Sequence, residues 1–330
     1  MASFSQPRCS SVLAAVSLSL VVIGCAVAAA GADFAHLRTQ EHKHAAAQWL
    51  ERNDTTDEMA RALWFLTSHM PPGDRSMPMR HFTDTVELAF EARREFQWAK
   101  SVPWKIFVND VLPYAALTEP RDPWRPMFYR HFRDQVKNLT SLHEVAVWMN
   151  ANAWNIVSPP IVFEPGNSPT GLNEYSPFQV MAAGHASCTG LAVFIVSCLR
   201  SVGVPARIAG TPHWNLGPKR CPHGDASDDC GNHDWAEVWT EPGGWSFIDP
   251  RGNLNLNSSW FFPLWTEHQT PGTHNHSIFA TSWAGTEHIE GQGGDDDPLA
   301  FPRTHFPMVW DWSNTVVPGW DVTVRYNRTV

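Results

Sequence analysis

Apolar residues recur at helical spacing through the first third of the chain. Ala60, Leu63, Trp64 and Leu66 share one stripe within an Ala-, Trp- and Leu-rich stretch over 33–70, and Pro71-Pro72-Gly73 stops it. Phe82, Val86, Ala89, Phe90 and Arg93 continue a second helical pattern from Asp84 onward. Over 104–126 prolines and aromatics interrupt any period, which predicts a packed, irregular connection. Helices are expected over 128–136 and 142–154, the second with Val145, Trp148, Met149 and Asn152 on a stripe suited to core packing. After a Pro-rich loop over 158–177, the cleanest helical face in the chain runs over 188–202. It carries Leu191, Ala192, Ile195, Val196, Leu199 and Val202, has Ser187 placed as N-cap, and ends at Gly203 and Pro205.

The period then changes. Residues 206–211, 234–241 and 245–249 alternate as strands do, with Pro242-Gly243-Gly244 as the turn between the last two. Beyond Phe262 the pattern is that of loop, including 291–298, until a short strand-like piece over 320–326. There is no internal repeat.

Composition bounds what such a chain does. It has 330 residues, 43% of them apolar and 17% charged, enough for a sizeable core in one large domain or two modest ones. A formal charge of -9 argues against a dedicated nucleic-acid or anionic-membrane binder. Near the N-terminus, Arg8 precedes an apolar run over 12–32 that has the shape of a signal peptide over 1–30. At about 20 residues the run also suffices for an uncleaved membrane anchor. Val22-Ile23-Gly24-Cys25 fits a bacterial lipobox, but sequons at Asn53, Asn138, Asn257, Asn275 and Asn327 point to a eukaryotic secretory route with glycosylation. No other segment is apolar enough to cross a membrane.

The six cysteines divide by position. Cys9 and Cys25 leave with a signal segment. Cys221 and Cys230 flank a short polar loop and make a natural disulfide in an oxidising compartment. The rival, a metal clip of Cys221, His223, Cys230 and His233, fits no common zinc spacing. Cys198 reads as a small core residue. Cys188 stands at the first turn of the strongest helix, where unpaired N–H groups and the helix dipole favour a thiolate, as a nucleophile requires. Downstream, His233, Trp235, Glu237 and Trp239 alternate on one strand and Trp245, Phe247 and Asp249 on the next. A hairpin centred on Glu241 puts His233 and Asp249 directly opposite, Cβ atoms about 5 Å apart. One imidazole nitrogen then serves the thiol and the carboxylate holds the other.

Four blocks carry a family resemblance: Cys188 with Ala192; Leu199-Arg200 with Gly203-Val204-Pro205-Ala206-Arg207; His233, Trp235 and Glu237-Val238; and Trp245 with Asp249-Pro250. In this order and spacing the chain resembles the transglutaminase-like superfamily over about 135–265. Residues 107–114 and 255–262 are also similar, more loosely, to secreted members with a helical N-terminal extension. The resemblance implies an α+β fold: a papain-like core, with a nucleophile helix packed on an antiparallel sheet, and a helical layer before it. The expected organisation is a helical region over 31–134, a catalytic core over 135–268 and a loop-rich extension over 269–330. It implies Cys188 as nucleophile, His233 as general base and then acid, and Asp249 as orienter. The Cys188 backbone N–H and the Trp154 indole N–H are the candidate oxyanion donors. No cofactor and no metal are implied, since no calcium site is matched and Asp295-Asp296-Asp297 reads as a solvated loop. Two departures stand out: Ala186 where members usually carry Gly, and an insertion over 219–231 ahead of His233.

The reading that follows is a secreted thiol enzyme performing acyl transfer or hydrolysis at amides of proteins or peptides, with an amine or water as acceptor. The alternatives are a catalytically idle binding module of this fold and a papain-type peptidase. No nucleic-acid partner is expected, and a membrane only if the N-terminal segment stays uncleaved. Whether residues 31–134 form an inhibitory prosegment or a permanent layer stays open, the lack of a basic cleavage site favouring the layer.

Overall fold

The computed structural model describes residues 34–165, 174–216, 230–240, 244–284, 301–303 and 305–327. The apolar stretch expected over 33–70 is two helices, α1 (Gln40–Leu50) and α2 (Asp57–Ser68), because threonines intervene as caps: Thr39 accepts from His42 N and Thr56 from Met59 N. Helix α3 (Met79–Glu95) starts ahead of the expected Asp84, directly after Pro78. The connection over 104–126 is irregular as expected, with a helical turn at Trp104–Ile106 and a wide π-helical turn at Phe107–Val111. Asn109 in that turn accepts from the backbone of Trp283 and Ala284 through its Oδ1, tying the helical layer to the C-terminal segment. Helices α4 (Trp124–Val136) and α5 (Leu142–Asn152) follow.

The Pro-rich stretch hides a helix. In α6 (Pro177–Ala183) the proline stands at the first turn, where its missing N–H is harmless, and Ser176 and Gln179 cap each other's backbone reciprocally. Two short parallel strands, β1 (Val162–Phe163) and β2 (His185–Ala186), lead into α7 (Cys188–Ser201).

The sheet comprises β3 (Ala206–Thr211), β4 (His233–Trp239), β5 (Trp245–Ile248), β6 (Phe279–Thr281), β7 (Phe301–Arg303) and β8 (Gly319–Asp321), in the order β5-β4-β3-β6-β8-β7 and antiparallel throughout. The segment after 269 is therefore not a loop-rich appendage: β6 pairs with β3 and carries the sheet onward. Strands of three residues contain too few alternations to show a period, which is why they escape the sequence pattern. The piece over 320–326 is also corrected. The strand ends at Asp321, whose Oδ1 accepts from Thr323 N and Oγ1 and starts helix α8 (Thr323–Asn327). Helix, antiparallel sheet and N-terminal helical layer make the α+β arrangement that the resemblance implies.

Helix α7 packs on one sheet face, inside an apolar cluster that also takes in Leu63, Phe82, Phe107 and Phe128 of the N-terminal layer. Trp98 Nε1 donates to Val202 O at 3.1 Å, and Arg125 Nη1 to Arg200 O at 2.8 Å, so the layer also closes the C-terminal end of α7. Arg200 itself donates to the carbonyls of Asp110, Ala115 and Ala206. The opposite face carries a second cluster including Trp214, Trp235, Phe247, Phe261 and Tyr326, which takes up some of the chain's 17 tryptophans. Among the described residues no helix is long and apolar enough to cross a membrane.

Glu237 locks this second face. It is fully buried, accepts from Arg207 Nε at 2.8 Å, Arg325 Nη1 at 2.6 Å and Tyr326 Oη at 2.9 Å, and Trp235 Nε1 donates to the same tyrosine oxygen at 2.7 Å. The Trp and Glu of the His-x-Trp-x-Glu block thus hold the C-terminal helix to the sheet. Removing one partner of a buried pair strands the other charge, so Glu237→Ala should lower unfolding stability by about 3–5 kcal/mol, measured by denaturant titration.

Candidate active site

Ser187 occupies the N-cap position of α7 in extended backbone, but its side chain makes no capping hydrogen bond. The first-turn N–H groups, that of Cys188 included, are therefore left without a side-chain cap at the mouth of a cleft. Cys188 is half-buried with a free thiol; Cys198, in the same helix, is fully buried, and burial pushes its thiol up. Ala186 faces Gly190, four residues on in the first turn of α7. A Cβ at Gly190 would lie 2.7 Å from the Ala186 methyl, so the glycine at 190 is what leaves room for the alanine at 186.

His233 opens β4, and its Nε2 lies 2.9 Å from Asp249 Oδ1. Cys188 also acts on this ring and raises its pKa, and Nδ1 is the nitrogen that Asp249 leaves for the sulfur. The pair forms without the expected register. The ladder matches Glu237 with Phe247 and Trp239 with Trp245, one residue later than a hairpin centred on Glu241, so His233 and Asp249 are not directly opposed. Strand β5 ends at Ile248, and Asp249 turns out of the ladder to reach the imidazole diagonally. Gly252 N donates to Asp249 O at 2.9 Å, and a Cβ at Gly252 would sit 2.4 Å from Asp249 Oδ2. That second carboxylate oxygen accepts from Ser259 Oγ at 2.6 Å. Ser259 is a supporting residue that no sequence pattern singles out; only the return of the chain after β5 brings it there.

The electrostatics favour a charged imidazole. Burial works against the cation, but hydrogen bonds to Asp249 and to Cys188 outweigh it and push His233 up to about 10. The rings of Trp235, Trp260 and Phe261 stand 5.2 to 5.8 Å from that of His233 and limit water around it. Beside it, Thr189 Oγ1 donates to Asp234 Oδ2 at 2.6 Å, pinning the first turn of α7 to β4. Burial pushes the Asp234 carboxyl up to about 6, against that hydrogen bond and the charge of His233.

Cys188, His233 and Asp249 all line one open cleft of about 650 Å³, walled by Phe163, Trp260, Val309 and Trp310. No residue of the N-terminal helical layer lines it. Trp154 is a correction: it is buried away from the cleft, and its indole N–H donates to Asn150 O at 2.6 Å, so it has no donor to offer an oxyanion. The Cys188 N–H keeps its helix-start position. Among the described residues Cys188 and Cys198 carry free thiols and Cys230 does not; Cys221, His223 and the 219–229 part of the insertion lie outside them. So do residues 1–33, with Cys9 and Cys25, and Asp295-Asp296-Asp297. Asn53, Asn138, Asn257 and Asn275 are exposed, whereas Asn327 is half-buried and its Nδ2 donates to Gln269 O at 2.8 Å.

Residues 133–250 match the sequence profile of the transglutaminase-like superfamily. No curated protein matches the chain. Two solved structures are similar over part of it: a candidate cysteine protease from Cytophaga hutchinsonii, at 15% identity and TM-score 0.25, covering 39% of this chain and 36% of that one; and the periplasmic domain of TgpA from Pseudomonas aeruginosa, at 18% identity and TM-score 0.24, covering 38% and 44%. The chain thus spans less than half of either.

One wall of the cleft hangs on a titratable group. Trp310 Nε1 and Thr118 Oγ1 each donate to Glu174 Oε1 at 2.7 Å. Burial first, then the charge of Glu119, pushes the Glu174 carboxyl up to about 7. The unfolded chain ionises this group at lower pH than the folded one, so its contribution to stability falls as pH rises from about 4.5 to 7 and is flat above. Glu174→Gln should remove that component, up to about 3 kcal/mol. Denaturation midpoints of the two proteins compared across pH 4 to 8 measure it; parallel curves would contradict the assignment.

Proposed function

We propose that this chain, whose residues 133–250 form a transglutaminase-like core, is a secreted thiol enzyme that transfers or hydrolyses acyl groups at amides of proteins or peptides. The observation that carries the reading is His233 paired with Asp249 at 2.9 Å in the open cleft that Cys188 also lines, where Cys188 acts on the same ring. Cys188 Sγ attacks the amide carbonyl, and the proton it gives up rests on His233 Nδ1 while Asp249 holds the other ring nitrogen. The carbonyl oxygen gains charge as the bond forms, and the Cys188 N–H stands at the helix start to receive it. His233 then gives its proton to the departing amine, leaving a thioester on Cys188. An incoming amine or water, deprotonated by His233, attacks the thioester and restores the thiol. An amine gives a transamidated product and water a carboxylate. An idle binding module would have no need of all three groups in contact.

In this reading residues 1–30 act as a signal segment, Cys221 bridges Cys230 beside the cleft, and the helical layer is a permanent part of the enzyme, since it shares one apolar cluster with α7. Glycans go to exposed sequons. Peptide mapping after deglycosylation of protein made in a eukaryotic secretory host should find Asn53, Asn138 and Asn275 modified and Asn327 unmodified, because the Asn327 amide is tied to Gln269 O.

Iodoacetamide at mildly acidic pH tests the primed thiol. Alkylation should map to Cys188, fall at least about tenfold in His233→Ala and fall less in Asp249→Asn. Equal, slow modification of wild type and His233→Ala would sink the enzyme reading. Amine incorporation measured against ammonia or peptide release then separates transferase from hydrolase.

A further inference from the structure

We infer that Arg251 selects acyl-donor peptides carrying a carboxylate next to the reacting amide; this rests on the acyl-transfer reading above. Arg251 has φ 64, in the left-handed region that few non-glycine residues enter. It sits in the turn Asp249-Pro250-Arg251-Gly252, closed by the hydrogen bond from Gly252 N to Asp249 O. With proline second and a positive φ third, this is a turn whose third position favours glycine or asparagine. Arginine there carries backbone strain that either of those residues would relieve, and strain of this kind concentrates where a side chain has a task.

The turn cannot shift to ease it. Asp249 is held by His233 and Ser259, and the Gly252 position is closed to a side chain by the Asp249 carboxylate. Arg251 is thereby fixed at the lip of the cleft, exposed, with no hydrogen bond or ion pair to another described residue. Apart from Cys188, His233 and Asp249, it is the one ionisable side chain lining the cleft among the described residues. It is not part of a general basic surface, since the chain carries a formal charge of -9. Phe163 and Trp260, 50% and 52% exposed, line the same cleft and offer it apolar surface. A cation and exposed aromatic rings sharing one cleft with Cys188 fit an acidic peptide with an apolar neighbour better than a basic one.

The test uses two matched glutamine peptides that differ only in a Glu or a Gln beside the reacting residue. Wild type should favour the Glu peptide by about five- to tenfold in kcat/KM, the preference shrinking with added salt. Arg251→Asn should bring the ratio to about one with kcat on the Gln peptide retained, and Arg251→Lys should keep part of the preference. Because asparagine tolerates the left-handed backbone, Arg251→Asn should also melt no lower than wild type, which a purely structural arginine would not allow. Calorimetric binding of both peptides to Cys188→Ala reads the selection apart from the chemistry. Discrimination in binding without turnover by wild type would keep the role of Arg251 and overturn acyl transfer. Equal binding of the two peptides, no binding of either, or a preference unchanged in Arg251→Asn would overturn the selection.

Discussion

The 2.9 Å contact between His233 Nε2 and Asp249 Oδ1 is the constraint around which the cleft is built. An imidazolium as buried as this one stands only with an anion against it. Asp249 meets that need by leaving the β5 ladder after Ile248, and the departure propagates. It calls for a donor to the second carboxylate oxygen, which Ser259 supplies, and for a residue without a side chain at 252. With one nitrogen committed to Asp249, the imidazole presents the other to Cys188, and α7 starts where its first residue can use it.

The remainder of the chain holds those partners in place. Thr189 and Asp234 pin the first turn of α7 to β4, while Trp98 and Arg125 of the helical layer close the other end of the same helix. On the far face Glu237 binds Arg207, Arg325 and Tyr326, so the C-terminal helix secures the strand that carries His233. These contacts bear on α7 and β4, the elements that carry Cys188 and His233, and none of them is made by Cys188, His233 or Asp249.

Much of this was legible in the residues, for physical reasons. The face of α7 and the alternation of β3 are complete patterns, and their bounds follow closely. Cys188, His233 and Asp249 were singled out because a helix-opening cysteine, an alternating strand and an Asp-Pro turn occur in order, and the structure brings all three to one cleft. The centre of the hairpin was misjudged by one residue, which slips the pairing by two, an error that alternation cannot reveal because every side chain stays on its own face. Other misses have their own causes. Strands β6 and β7 are too short to show a period, and α6 lay behind a proline that belongs in a first helical turn. Trp154 carried a fixed donor, but the carbonyl four residues back had already taken it. The role of Ser259 depends on tertiary return of the chain and leaves no mark in any local pattern.

Nitrogen-15 NMR of the His233 ring across pH 5 to 9 tests the central contact directly. If Asp249 and Cys188 hold the imidazole as described, both ring nitrogens stay protonated through that range, in keeping with a pKa pushed up to about 10. A His233 that loses its proton near 6.5, as a free imidazole does, would contradict the account.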